Sequence, residues 1–211
     1  MRKIQKRSCP AILLEKAAEW LKAYQDDSAK STNRYRYRHE DVKSELVKET
    51  GNKCVYCESK IGHSTPGDVE HKVPTALGTA LHFDWNNLTI ACTECNRRKS
   101  ATYDPALGFI DPYNDAVESL VIHHGPIATW KPGDNLAETA VRVLELDSPS
   151  RMTLVLQKIE FLRRYSEAVE NYKSCTNPTL RKVRKLALDK WKEKDAEYSA
   201  MILSSAAKYG V

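Results

Sequence analysis

Four cysteines fall in two CxxC pairs, Cys54-Val-Tyr-Cys57 and Cys92-Thr-Glu-Cys95. A turn of that spacing points two thiolates at one ion, and two such turns make the four-sulfur tetrahedron that zinc prefers. Between and just beyond the pairs lie groups suited to phosphodiester hydrolysis. Glu70 and His71 are adjacent in the run Asp68-Val-Glu-His-Lys-Val-Pro74, Asn86 and Asn87 precede Leu88, and Asn96 follows the last thiol. The reaction needs an activated water, a cation at the scissile phosphate and stabilisation of the leaving oxygen. Histidine suits the base because its ordinary pKa lies near neutrality. A neighbouring carboxylate offers magnesium a hard oxygen, and an amide oxygen from the following helix offers another. Magnesium keeps most of its waters, so two side chains suffice. Arg97, Arg98 and Lys99, in the first turns of that helix, are candidate phosphate contacts. His63 and His82 read as surface or structural histidines.

The competing reading of the cysteines is a redox dithiol. CVYC lacks an apolar strand leading into a redox-motif helix, so spacing favours structural zinc. A module this small has little core, and the metal supplies the missing folding energy. Cys9 and Cys175 stand alone and read as single thiols.

The elements that position these groups follow from periodicity. Ile12, Leu13, Ala17, Trp20, Leu21 and Tyr24 predict a helix over 11–25. Arg34-Tyr-Arg-Tyr-Arg38 alternates, which predicts an extended segment, with two readings: rings packed inward under solvated arginines, or cations and rings offered to a nucleic acid. A helix is predicted over 39–50, stopped by Gly51. The zinc module spans about 52–102, with short strands at 69–73 and 88–91 and a helix over 93–102. Leu120–Ile122 and Ile127–Trp130 predict a hairpin that leaves His123 and His124 in its turn, without chemistry. Asp134 or Asn135 caps a helix reaching about Leu146. A long helix follows Ser148 until Asn177-Pro178 breaks it, and a last helix is predicted over 179–207. The long helices are amphipathic and pack by one face.

The chain has 211 residues, 41% hydrophobic and 29% charged, the composition of an ordinary globular protein. Lysine and arginine number 33 against 28 acidic residues, a formal charge of +5. That charge permits a polyanionic partner without demanding one. The basic start is not followed by the apolar core of a signal peptide, and no apolar run is long enough to span a bilayer. A cytoplasmic location, without a membrane partner, is therefore expected, where reduced thiols favour metal over disulfides.

The motifs CVYC, VEHKVP, NNLTIACTECN and RRK together resemble the HNH, or ββα-metal, endonuclease family over residues 50–102. The resemblance implies that Glu70 is a magnesium ligand, at a position where the family more often has aspartate or histidine. It implies that His71 is the general base and that Asn87 holds the loop carrying His71. Asn86 is the alternative for that role, and Asn87 is preferred because it directly precedes Leu88 and the strand. Asn96, at the family's last position, would be the second magnesium ligand, and Lys99 would neutralise phosphate. More widely, MRKIQK with Pro10 soon after, Phe109-Ile-Asp-Pro112 and the helical tail resemble the HNH subunits of Septu anti-phage systems and of some retron defence systems. That likeness implies a bacterial defence nuclease working with a larger ABC-type ATPase, docked through residues 1–50 and 103–211.

The expected architecture is α+β and mostly helical. It comprises an N-terminal helical segment (1–50), a zinc-stapled HNH core (51–102), and a small hairpin with a helical C-terminal extension (103–211). The expected function is divalent-metal-dependent endonuclease, with DNA the favoured substrate and a structured RNA such as tRNA the alternative. The rival class is a non-catalytic zinc module that binds nucleic acid or protein.

Overall fold

A computed structural model describes residues 1–62, 66–104 and 106–211, so His63 lies outside the described residues. Helix α1 (Ala11–Asp26) buries Leu13, Trp20 and Tyr24 along one side. Helix α2 (Ser31–Arg34) leads into a 3-10 turn, Arg36–Arg38, and then into α3 (Glu40–Glu49), which buries Val42 and Leu46. Gly51 ends α3 with a φ of 63°. A side chain there would collide with the backbone of Asp195, so packing as well as φ demands glycine.

The segment 34–38 is therefore helical and not extended. Residues two apart on a helical turn point about 200° away from each other, so alternation in sequence also separates two faces of a helix. Tyr37 goes inward and is buried, whereas Tyr35 stays out. Asn33 fixes the turn by donating from its amide to the carbonyls of Ala23 and Asp27.

The nuclease-like centre is a strand pair with one helix. Strands β1 (Asp68–His71) and β2 (Leu88–Ala91) are antiparallel, with Glu70 opposite Thr89 and His71 opposite Leu88. Helix α4 (Thr93–Lys99) follows β2 directly and packs on β1. A short helix α5 (Val117–Leu120) enters the second hairpin, β3 (Val121–His124) with β4 (Ile127–Trp130). His123 and His124 thus lie on a strand and not in the turn: Gly125, with its positive φ, makes the turn instead. Asp134 caps α6 (Asn135–Val143) by accepting from Ala137 N.

Helix α7 (Met152–Lys173) runs back along α8 (Pro178–Lys190), with Asn177 capping α8 through Leu180 N. The predicted last helix is two helices, since α9 (Ser199–Tyr209) starts afresh after a loop. Buried Lys53 of the first CxxC turn explains the break. Its ammonium donates to the carbonyls of Lys194 and Ala196, which a continuous helix would keep for itself. Glu58 completes the tie by pairing with Lys53 and accepting from Ser199 Oγ and Ala200 N. Burial would raise the Glu58 carboxyl, but the amino terminus and Lys53 outweigh it and hold its pKa at about 2. No helix among the described residues is long and apolar enough to cross a membrane.

Candidate active site

The four thiols of the two CxxC turns converge, all four sulfurs lying within 4.8 Å of one another. Tetrahedral zinc with bonds of about 2.3 Å needs sulfurs about 3.8 Å apart. Cys57 Sγ and Cys92 Sγ are 3.8 Å apart, and no carboxylate intrudes, so the donor set fits zinc. Two neighbours add to it from elsewhere in the chain. Ser59 Oγ lies 3.3 Å from Cys57 Sγ, and Arg151, at the head of α7, donates from its guanidinium to Cys95 Sγ at 3.2 Å. Arg151 also donates to the carbonyl of Leu144. A four-thiolate zinc would carry two net negative charges, and Arg151 is placed to offset part of that charge.

The strand β1 presents two faces, as the period of two requires. One face carries Asp68 and Glu70 toward α4. Asn96 Nδ2 donates to Asp68 Oδ2 at 3.4 Å, and Lys99 Nζ lies 2.7 Å from Glu70 Oε1. Lys99 is fully buried and also donates to the carbonyl of His71 at 2.9 Å. The sequence reading placed Lys99 on a phosphate. Here it is spent inside the protein as the counter-charge of Glu70, because the i, i+3 spacing from Asn96 turns it onto the same strand face.

Glu70 is buried, which raises its carboxyl pKa, and Lys99 works against that rise. The ammonium approaches Oε1 off the hydrogen-bonding directions, so this buried oxygen has an ion-pair partner but no aligned hydrogen bond. Asn96 spends its donor on Asp68, and its Oδ1 accepts no hydrogen bond among the described residues. The amide oxygen of Asn96 is unused on the α4 side of β1, and a hard divalent cation there would share the Glu70 carboxylate with the Lys99 ammonium.

His71 belongs to the other face. Its Nε2 lies 2.9 Å from the main-chain carbonyl oxygen of His82. A carbonyl only accepts, so Nε2 carries the proton and the lone pair is on Nδ1. Burial lowers the imidazole pKa to about 4, so the ring is neutral at ordinary pH. The His82 ring stacks on it at 4.8 Å with 10° between planes, and Tyr24 of α1 stacks behind His82 at 4.1 Å. Tyr37 meets His71 edge-on at 4.6 Å. His82 is itself fixed by Thr75 Oγ1 at Nδ1 and by the Arg34 carbonyl at Nε2.

Asn87 closes the loop between the strands. Its Oδ1 accepts from Val73 N at 2.8 Å, and its Nδ2 donates to the carbonyls of Val73 and Leu81. Asn86 is exposed and its backbone N–H donates to Asp84. Of the two asparagines, Asn87 is the one that spans the loop. Arg97 is exposed and bound to Glu94, while Arg98 is bridged to Glu94 and Glu145. Both of those arginines are thus engaged with carboxylates in the structure.

Residues 54–102 match the family model described as HNH endonuclease. The four-cysteine module is an HNH endonuclease domain. Its bounds nearly coincide with the region picked out by the cysteines. Beyond the domain, the chain is 28% identical over 144 residues to the Septu protein PtuB of Bacillus thuringiensis, which covers 65% of this chain and 55% of that relative. It is 30% identical over 126 residues to the Septu protein PtuB of Bacillus mycoides (strain KBAB4), covering 50% of this chain and 43% of that relative. The chain spans about half the length of these relatives.

Four contributors to the HNH site lie outside the domain or carry no motif. Tyr24 and Tyr37 brace the histidine pair, Arg38 lies over the Tyr35 and Tyr37 rings with its charge near His71, and Arg151 reaches the zinc sulfurs. Only the arginine–tyrosine alternation gave a signal in the sequence. The others depend on which helices come to rest on the domain.

Proposed function

We propose that this chain is a divalent-metal-dependent endonuclease that hydrolyses nucleic-acid backbones, with DNA the favoured substrate. One observation carries the reading. The imidazole of His71 has its proton committed to the His82 carbonyl, which leaves Nδ1 as a neutral base on the residue next to Glu70 in β1.

In this reading His71 Nδ1 takes the proton of the attacking water, and the low pKa keeps it unprotonated beforehand. Asn87 and the His82–Tyr24 stack hold the ring in place. Glu70 and Asn96 would hold a magnesium or similar ion, which neutralises charge on the phosphate and the leaving oxygen when bound. Four cysteines would hold a structural zinc that fixes α4 and hence Asn96 relative to β1.

The likeness to the Septu PtuB proteins supports a role in anti-phage defence, and with it an ABC-type ATPase partner. The surface for that partner falls to the C-terminal helices. Leu156 and Ile159 of α7 and Leu180, Val183 and Leu186 of α8 are exposed apolar side chains there. Cytoplasmic action follows from the same reading.

The test is cleavage of plasmid DNA and of tRNA by the chain co-purified with the product of its neighbouring reading frame. Activity that needs magnesium and stops with a chelator supports the proposal. A complex that cuts neither, or that cuts equally without a divalent ion, contradicts it.

A further inference from the structure

The segment Arg34–Arg38 is not used by the chemistry above, yet it stands against the catalytic histidine. Its Arg34, Tyr35 and Tyr37 line, together with Tyr24, His71 and His82, a shallow pocket of about 270 Å³, large enough for one nucleobase. The exposed ring on its rim is Tyr35, 42% accessible. Arg38 lies over that ring at 4.5 Å and over Tyr37 at 5.5 Å. Tyr37 in turn touches His71.

The other cations near the site are occupied. Arg34 and Arg36 donate from Nε to the carbonyls of Ser28 and Thr32. Lys72 pairs with Asp111, Lys99 with Glu70, and Arg97 and Arg98 with Glu94. Among the described residues Arg34, Arg36 and Arg38 have no carboxylate within ion-pair distance, and Arg38, unlike the other two, spends no guanidinium N–H on a main-chain carbonyl.

We infer that Tyr35 and Arg38 form a seat for one unpaired nucleotide next to the scissile phosphate, with the base stacked on Tyr35 and its phosphate held by Arg38. This rests on the nuclease reading and adds the class of strand that the site accepts. In a duplex both faces of a base are covered by its neighbours. A base that stacks on a protein ring must be single-stranded or displaced from the helix. The guanidinium meets phosphate oxygens in a planar, two-pronged fashion that lysine does not reproduce. A lone exposed tyrosine is ordinary on a protein surface. Here the exposed ring and the His71 imidazole line the same pocket, with the Arg38 guanidinium over that ring, and that combination points to a nucleotide.

The experiment uses the full chain carrying His71→Ala, so that substrate stays intact, and short fluorescein-labelled oligonucleotides read by anisotropy. Single-stranded DNA and RNA of one sequence are compared with the matching duplexes. At least one single strand should bind more tightly than its duplex. Adding Tyr35→Ala should weaken that binding about tenfold, the order expected for one lost base–aromatic stack, and abolish the preference. Tyr35→Phe should keep both. Adding Arg38→Ala should weaken binding and lower the salt slope by about one phosphate contact. Equal affinity for single strand and duplex, unchanged affinity in Tyr35→Ala, a Tyr35→Phe variant as weak as Tyr35→Ala, or no binding at low salt each overturns the inference. Cleavage by the chain with His71 intact tests the nuclease reading separately, so the two fail independently.

Discussion

His71 Nε2 bonds the carbonyl of His82, and the Asn87 side chain bonds Val73 at the start of the loop and Leu81 next to His82. The His71 ring, the proposed base, is therefore set by a main-chain group next to a residue that one amide side chain holds. Asn87→Ala should lower kcat by about ten- to a hundredfold with KM nearly unchanged, since it misplaces the base without touching substrate. It should also cost about 2–3 kcal/mol in urea unfolding, because three buried hydrogen bonds lose their partner. A variant with full kcat would show that the loop holds its shape without Asn87.

Lys99 and Glu70 form an ion pair inside the site, and both side chains are almost wholly enclosed. Removing one partner strands the other charge. Lys99→Met should destabilise the protein by about 3 kcal/mol in denaturant titrations. Glu70→Gln added to it should recover a substantial part of that loss, because no buried charge is then left alone. If the double variant is no more stable than Lys99→Met, the pair is not what holds Lys99 in the interior.

The donation from Arg151 to Cys95 Sγ links the C-terminal extension to the metal clip. Arg151→Met should release zinc faster to a chromogenic chelator, by about tenfold or more, as other losses of outer-shell partners do. Arg151→Lys should lie between the two. The wild-type release rate in Arg151→Met would mean that the thiolates need no help from α7.

The buried His123 has no hydrogen-bond partner on either ring nitrogen. Burial pushes its pKa well below the usual 6.5, the amino terminus, Lys158 and His124 push the same way, and Glu58 opposes. A histidine with a depressed folded pKa gives its full stability above the unfolded pKa and loses it as pH falls below that value. His123→Leu should therefore lose less stability than wild type between about pH 7.5 and pH 5.5. Chemical denaturation at the two pH values measures this, and identical losses would show that His123 takes a proton as readily folded as unfolded.

Much of the centre was legible because its signals are local. The CxxC spacing, the adjacent Glu70 and His71, and the asparagine before Leu88 all act within a few residues, and the strands and α4 followed from them. The arginine–tyrosine segment misled because alternation is compatible with a helical turn as well as a strand. Tertiary bonds from Asn33 and the burial of Tyr37 decided between them. The sequence offers Lys99 as a phosphate contact because helical spacing alone does not say which strand face lies opposite. The break before α9 was invisible for the same reason, since it depends on Lys53, far away in the chain. The Tyr24–His82–His71 stack joins three separate segments, and no pattern within any one of them announces it.

The central claim is that His71 activates water beside a divalent ion held by Glu70 and Asn96. Its most direct test is single-turnover cleavage in magnesium, comparing wild type with His71→Ala at matched zinc content and matched unfolding midpoint. The account predicts that the variant folds, keeps its zinc and shows no cleavage above background. Cleavage by His71→Ala at the wild-type rate would contradict it.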